Sequence, residues 1–402
     1  MLFFKHDGQA LEFASAELRA NRSIGLEVAR NLRGPGASWA LSYAAAELMD
    51  DPEIIMKAIA MHPRSALNYA SHRPKSDLNF IIEALEHDLL AIESASAELR
   101  DTRDILLIAL EKHALLHASN GVEGPFELHG HPLEHASSRL SNDRDIVLGA
   151  VNTDGLALEY ASKDIRDDFG VVRAAVQNNG RALNFASNDL RGVRELVLTA
   201  LDTDYGRIAH CDGTHYPTGG VLGFASIELT SDRLFMLEVI RWFGPRINTL
   251  NANRGGRRYA GGQSVLNLLR RASPGLKADA ELVLEALVYD SNALDFASES
   301  LRDDRDFMLK VAELDVKALR WASKVLKRDR LFIIDAVKIN GDALEFDQCR
   351  SFESLVVVRL AIASNPNAVR FASARIRLLL TRAPASEEEE LAEAFSRVGL
   401  DC

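Results

Sequence analysis

The chain has 402 residues, 47% of them apolar and 26% charged, the balance of a folded protein rather than a disordered one. Its net charge of −11 disfavours nucleic acid and anionic lipid as partners, because such binding draws on Lys and Arg to neutralise phosphate. Cys211, Cys349 and Cys402 include no CxxC pair, no apolar run reaches about 18 residues, and the first residues are too short an apolar stretch for a signal peptide. A soluble, intracellular protein of a reducing compartment is expected, with no membrane span, no cofactor and no thiolate metal site.

Residues 2–8 read as the last turn of a helix, either a half-repeat cap or the edge of a longer array. A phrase then begins that returns along the whole chain. Ala10-Leu11-Glu12-Phe13-Ala14-Ser15 recurs as Ala40-Leu41-Ser42-Tyr43-Ala44-Ala45 and Ala66-Leu67-Asn68-Tyr69-Ala70-Ser71. Further copies start at Ala91, Pro132, Ala157, Ala182, Val221, Leu268, Ala293, Ala318, Ala343 and Ala368. Of the twelve spacings, seven are 25 residues and one is 26, while 30, 41, 39 and 47 each read as one repeat plus an insertion.

Within a copy, Leu158, Ala161 and Ile165 stand at i, i+3 and i+7, which predicts one face of a short first helix. Small residues at Ala14, Ala44, Ala70, Ala161, Ala186, Ala297 and Ala322 predict close approach between neighbouring units, where a larger side chain would overpack. Asp51, Asp168 and Asp304, with Asp77, Asp143, Asp232, Asp279 and Asp329 at the same phase, are expected to cap a second helix. Asn21, Thr102 and Ser354 substitute there, and Pro52 suits the first helical position. The second helix is expected to end at Asp154-Gly155, Asn179-Gly180 and Asn340-Gly341, with Gly in a left-handed conformation. A two-turn first helix is marginal alone, so stacking must stabilise it.

The pattern A-L-x-[FY]-A-S-x-x-L-R-x-D-[RP]-[DE], seen from Ala293 to Asp306, resembles the domain of unknown function 4116, a tandem-repeat family of bacteria and protists. The resemblance runs from Ala10 to about Arg382 and implies helical repeats; it brings no activity, substrate or catalytic residue. In period the chain is also similar to short solenoids such as the leucine-rich repeat variant. The expected fold is all-α: an α-solenoid of about thirteen stacked helix–turn–helix units over residues 1–383. A C-terminal capping helix is expected over 384–402, where Ser386 and the glutamates after it suit a helix start. The Ala343 copy departs, with Asp347 and Gln348 in place of Ala-Ser, which implies either a loosened junction or a specialised one.

Insertions are expected near residues 116–131, 207–220 and 246–267, all at one phase and hence on one edge, the natural place for function. The first two are rich in histidine: His113, His117, His129, His131 and His135, then His210, Cys211, Asp212 and His215. Imidazole and thiolate suit zinc, yet no familiar ligand spacing occurs, and no metal site is assigned. The third contains Arg254, Arg257, Arg258 and Tyr259 among glycines, which suits phosphate or a stacked RNA base but lacks the Lys-Ser/Thr of a P-loop. The serines recur with no recurring histidine beside them, so nucleophilic catalysis is not expected. The leading expectation is a non-enzymatic scaffold binding a protein partner; a single-stranded RNA binder is the alternative, and a metal-assisted enzyme using the histidine loops the third.

Overall fold

In a computed structural model, the structure describes residues 8–30, 41–60, 63–89, 91–119, 131–210, 220–253, 268–289, 291–348 and 353–380. All regular structure among them is helical. The chain divides into two compact units, Met1–Gly206 and Arg207–Cys402.

Each unit alternates long helices with short ones. In the first, the long helices are α1 (Arg22–Arg30), α2 (Pro52–Ile59), α3 (Leu78–His87), α4 (Arg103–Ser119), α5 (Arg144–Thr153) and α6 (Phe169–Asn178); α7 (Arg194–His210) begins in it and ends just past its boundary. The second has α8 (Arg233–Asn253), α9 (Ala280–Leu287), α10 (Arg305–Leu314), α11 (Arg330–Ile339) and α12 (Leu355–Ser364).

A helix of ten residues is too short to persist alone in water, so packing must hold these. The core repeats the same register: α5 buries Ile146, Val147, Ala150 and Val151, α6 buries Val171, Val172, Ala175 and Val176, and α10 buries Phe307, Met308, Val311 and Ala312. Each large apolar side chain so buried contributes about 1.5–3 kcal/mol.

The helix starts follow from the aspartates. Asp51 Oδ1 accepts from the amides of Glu53 and Ile54, Asp168 Oδ1 from Val171 at 2.9 Å, and Asp304 Oδ1 from Phe307 at 2.8 Å. Pro52 is the first residue of α2. Of the substitutes, Asn21 caps through Oδ1, Ser354 makes no side-chain cap, and the Thr102 hydroxyl donates instead to the Glu98 carbonyl. The arginine that opens one helix also reaches the capping aspartate of the next: Arg22 to Asp51, Arg103 to Asp143, Arg144 to Asp168 and Arg233 to Asp279.

The expected first helix is corrected. Leu158, Ala161 and Ile165 are buried, but they do not lie on one helix. A 3-10 helix, Gly155–Tyr160, ends at Ala161, whose φ of −72° and ψ of 155° are extended, and a second short turn, Ile165–Asp167, follows. The cause lies in Ser162. Its amide donates to the Ser141 carbonyl of the preceding segment at 2.9 Å, so it is unavailable to a continuing helix. Its hydroxyl accepts from the Ile165 amide and donates to Asn142, starting the next turn.

That tie recurs. Ser71 bonds Met49, Ser96 bonds Lys75, and Ser187 bonds Arg166 in the first unit; Ser298 bonds Lys277 and Ser323 bonds Arg302 in the second. Ala161, Ala186 and Ala322 have extended backbone before their ties; these and Ala70 and Ala297 are under a tenth exposed, while Ala14 and Ala44 are half-buried. At the departing copy Gln348 keeps the main-chain bond, to Lys327 at 2.8 Å, so the junction is not loosened there.

The glycines are corrected as well. Among the described residues the positive-φ glycine is Gly220, so Gly155, Gly180 and Gly341 are not left-handed. They are required by close approach. A Cβ on Gly155, Gly180 or Gly341 would fall inside the contact radius of the carbonyl oxygen of Ala175, Ala200 or Ala361.

The expected insertions begin differently from their sequence boundaries. Residues 116–119, 207–210 and 246–253 continue the helices α4, α7 and α8. The expected capping helix over 384–402 and the start at residues 2–7 lie outside the described residues.

Candidate metal centre at the cap phase

The residue that ends a long helix does two jobs. Asp154, the eleventh residue after its helix cap Asp143, donates its amide to the Ala150 carbonyl, closing α5. Its Oδ1 then accepts from the Leu156 amide at 2.9 Å and opens the next short helix. Asn179, Asp315, Asn340 and Asn365 stand at the same phase and do the same, with φ between −145° and −152°. Their side chains hold the amides of Arg181, Lys317, Asp342 and Asn367.

In α4 this phase falls on His113, eleven residues after Thr102, and the helix runs on to Ser119. The opening job passes to His131, where the described chain resumes. Its Nδ1 accepts from the Leu133 amide at 3.1 Å, as the carboxylate of Asp154 does for Leu156. Three side chains meet there. His113, His131 and Asp154 offer donor atoms that all lie within 4.8 Å of one another. The two rings meet edge to face, their centroids 4.6 Å apart, and both are under a tenth exposed. Tyr160 stacks on His131, the ring centroids 5.8 Å apart. Its phenol is pushed above its ordinary range by burial first, then by the charges of Glu134, Glu159 and Asp154.

The other sequence candidates are not part of this cluster. His135 is half-buried in the short helix after His131. His117 lies on α4 and His210 on α7. His129, Cys211, Asp212, His215, Arg254, Arg257, Arg258 and Tyr259 lie outside the described residues. Arg246, at the edge of the third insertion, donates to the Trp242 carbonyl and lies 3.7 Å over the Trp242 ring. Asp51, Asp168 and Asp304 are occupied by capping, as described above. Asp154 was missed as a site residue because it reads as a turn; counting its phase against His113 is the signal that finds it.

No helix among the described residues is long and apolar enough to cross a membrane. No curated protein and no solved structure matches the chain. Residues 126–166, 279–327 and 304–346 match the family described as Domain of unknown function (DUF4116). The first of these segments holds His131, Asp154 and Tyr160, the other two hold Asp304 and Asp315, and segments that match the family thus lie in each of the two units.

Proposed function

We propose that the chain is a non-enzymatic scaffold: an α-solenoid of about thirteen 25-residue units that presents an extended surface and its edge loops to a protein partner in a reducing compartment. The recurring polar groups are already engaged, serine with the preceding segment and arginine with the next capping aspartate. They serve the fold and leave recognition to what is exposed.

One observation carries the reading. Large apolar side chains stand in solvent at the first or second residue of long helices: Leu78 is 43% exposed, Phe169 38%, Leu234 69% and Leu331 51%. Single exposed apolar residues need no explanation, but each unit carries two of them at the starts of its long helices, where a partner can bury apolar surface. Capture of partners on the full chain, compared with a chain carrying Leu78→Ser, Phe169→Ser, Leu234→Ser and Leu331→Ser, tests it. A defined partner is expected on the first and not the second. Equal recovery on both would discard these side chains as the contact, and salt-sensitive oligonucleotide binding lost with Arg254→Ala, Arg257→Ala and Arg258→Ala would replace the reading with RNA recognition.

A further inference from the structure

We propose that His113, His131 and Asp154 bind one divalent cation of the zinc class. The donor set is two imidazoles and a carboxylate, which suits zinc and its first-row neighbours. Bonds of about 2.0–2.1 Å to a tetrahedral ion place donors roughly 3.3 Å apart. Groups already within 4.8 Å reach that spacing by side-chain adjustments on the order of 1 Å.

The fold does not require imidazole here. Asn179, Asn340 and Asn365 close and open helices at this phase with a carboxamide, and His131 performs the opening job with Nδ1. Histidine stands at the asparagine phase in His113 and takes over the opening job in His131, and the two rings touch each other.

The three donors also come from three stretches of chain. His113 lies late in α4, His131 is where the described chain resumes after residue 130, and Asp154 joins α5 to the next short helix. A cation would staple both sides of the first insertion to the segment that follows it.

Coordination carries a definite cost at His131. In the neutral ring Nδ1 takes the Leu133 amide, so Nε2 holds the proton. Binding through Nε2 moves that proton to Nδ1, and binding through Nδ1 uses its lone pair directly. Either way the Leu133 amide loses its acceptor, so the site binds less tightly than one preformed for metal, and low pH competes with it.

The full chain, stripped with a chelator, is titrated with zinc against a chromophoric competitor. One equivalent is expected, together with a rise in thermal midpoint. His113→Asn, His131→Asn and Asp154→Asn place at each position a carboxamide, the group with which Asn179, Asn340 and Asn365 open short helices, and each is expected to weaken binding by about a hundredfold or more. Cobalt added to the unsubstituted chain provides a readout independent of any variant: visible bands of a four- or five-coordinate centre are expected. Absence of stoichiometric zinc, absence of those bands, or folded variants that bind zinc as the unsubstituted chain does would each overturn the proposal.

Discussion

Helices α5 and α8 start alike and stop differently. Asp143 caps α5 and Asp232 caps α8, and each buries the residues three, four, seven and eight positions on: Ile146, Val147, Ala150 and Val151 in one, Phe235, Met236, Val239 and Ile240 in the other. At the eleventh position α5 has Asp154, which turns to extended backbone and takes the Leu156 amide; α8 has Phe243, buried and packed edge to face on Trp242. Phenylalanine offers no acceptor for the amides of a new short helix, and α8 continues through Pro245 to Asn253. In α4 the same position is His113 and the helix likewise runs on, whereas α7 continues to His210 with Asp204 there, so an acceptor at this position is not by itself enough to end a helix.

The position after the cap is glycine in both, as Gly155 and Gly244, and the reason differs. A Cβ on Gly180, at the Gly155 phase, would meet main chain at Ala200, whereas one on Gly244 would meet the ring of Tyr289, a side chain able to turn. Gly180→Ala is expected to cost about 3 kcal/mol, at the upper end of overpacking, because a carbonyl cannot be rotated away without moving α7. Denaturant unfolding of the full chain measures it, and a loss below about 1 kcal/mol would mean that neighbouring segments are not held at main-chain distance.

The caps come next in size. Asp168→Ala is expected to cost about 1–2 kcal/mol, since the Val171 amide loses its acceptor and Arg144 its partner. The same ties set an acid limit. Hydrogen bonding from Arg144 holds the Asp168 carboxyl below its ordinary value; partial burial opposes this and the Val171 amide assists it. Asp50 is lowered chiefly by the Ser71 hydroxyl and Asp101 chiefly by that of Ser137. Carboxyls lowered in the folded state add stability above their unfolded value, near pH 4, and lose it as pH falls through the folded value. A thermal midpoint flat from pH 7 to about 5 and falling below about 4 is expected; a midpoint that rises on acidification would contradict these ties.

Val193 shows the converse. It occupies the capping phase before α7 with an extended backbone, φ −81° and ψ 114°, but has no side-chain acceptor. Val193→Asp is expected to add about 1 kcal/mol, read as a higher midpoint for the first unit. No gain would show that α7 is held by packing alone.

The sequence supplied what depends on neighbours within one copy. Asp51, Asp168 and Asp304 as caps and the buried register of each long helix follow from local spacing, as does the all-helical class. What depended on the adjoining copy was hidden. The break at Ala161-Ser162 exists because Ser162 bonds Ser141, twenty-one residues earlier in number and adjacent in space, and nothing within one copy announces that. Gly155 reads as left-handed for the same reason: a helix-ending glycine and a glycine pressed by a neighbouring carbonyl look identical in one dimension. His113 and His131 read as members of a histidine-rich stretch; that His113 and Asp154 share a phase is countable, but their meeting with His131 depends on how adjoining segments pack.

The smallest effect separates the two uses of glycine. Gly149 sits on the exposed side of α5, and a Cβ there would meet nothing within 4 Å. Alanine restricts the unfolded chain and favours the helix, so Gly149→Ala is expected to add about 0.5–1 kcal/mol. It lies in the same unit as Gly180, and the two substitutions make the same chemical change with opposite expected signs. Measured side by side in one denaturant series, a gain at 149 with a loss at 180 assigns the loss to contact with Ala200. If both lowered stability, the cost at Gly180 would belong to the backbone of glycine itself, and the close approach of neighbouring segments would have to be given up as its cause.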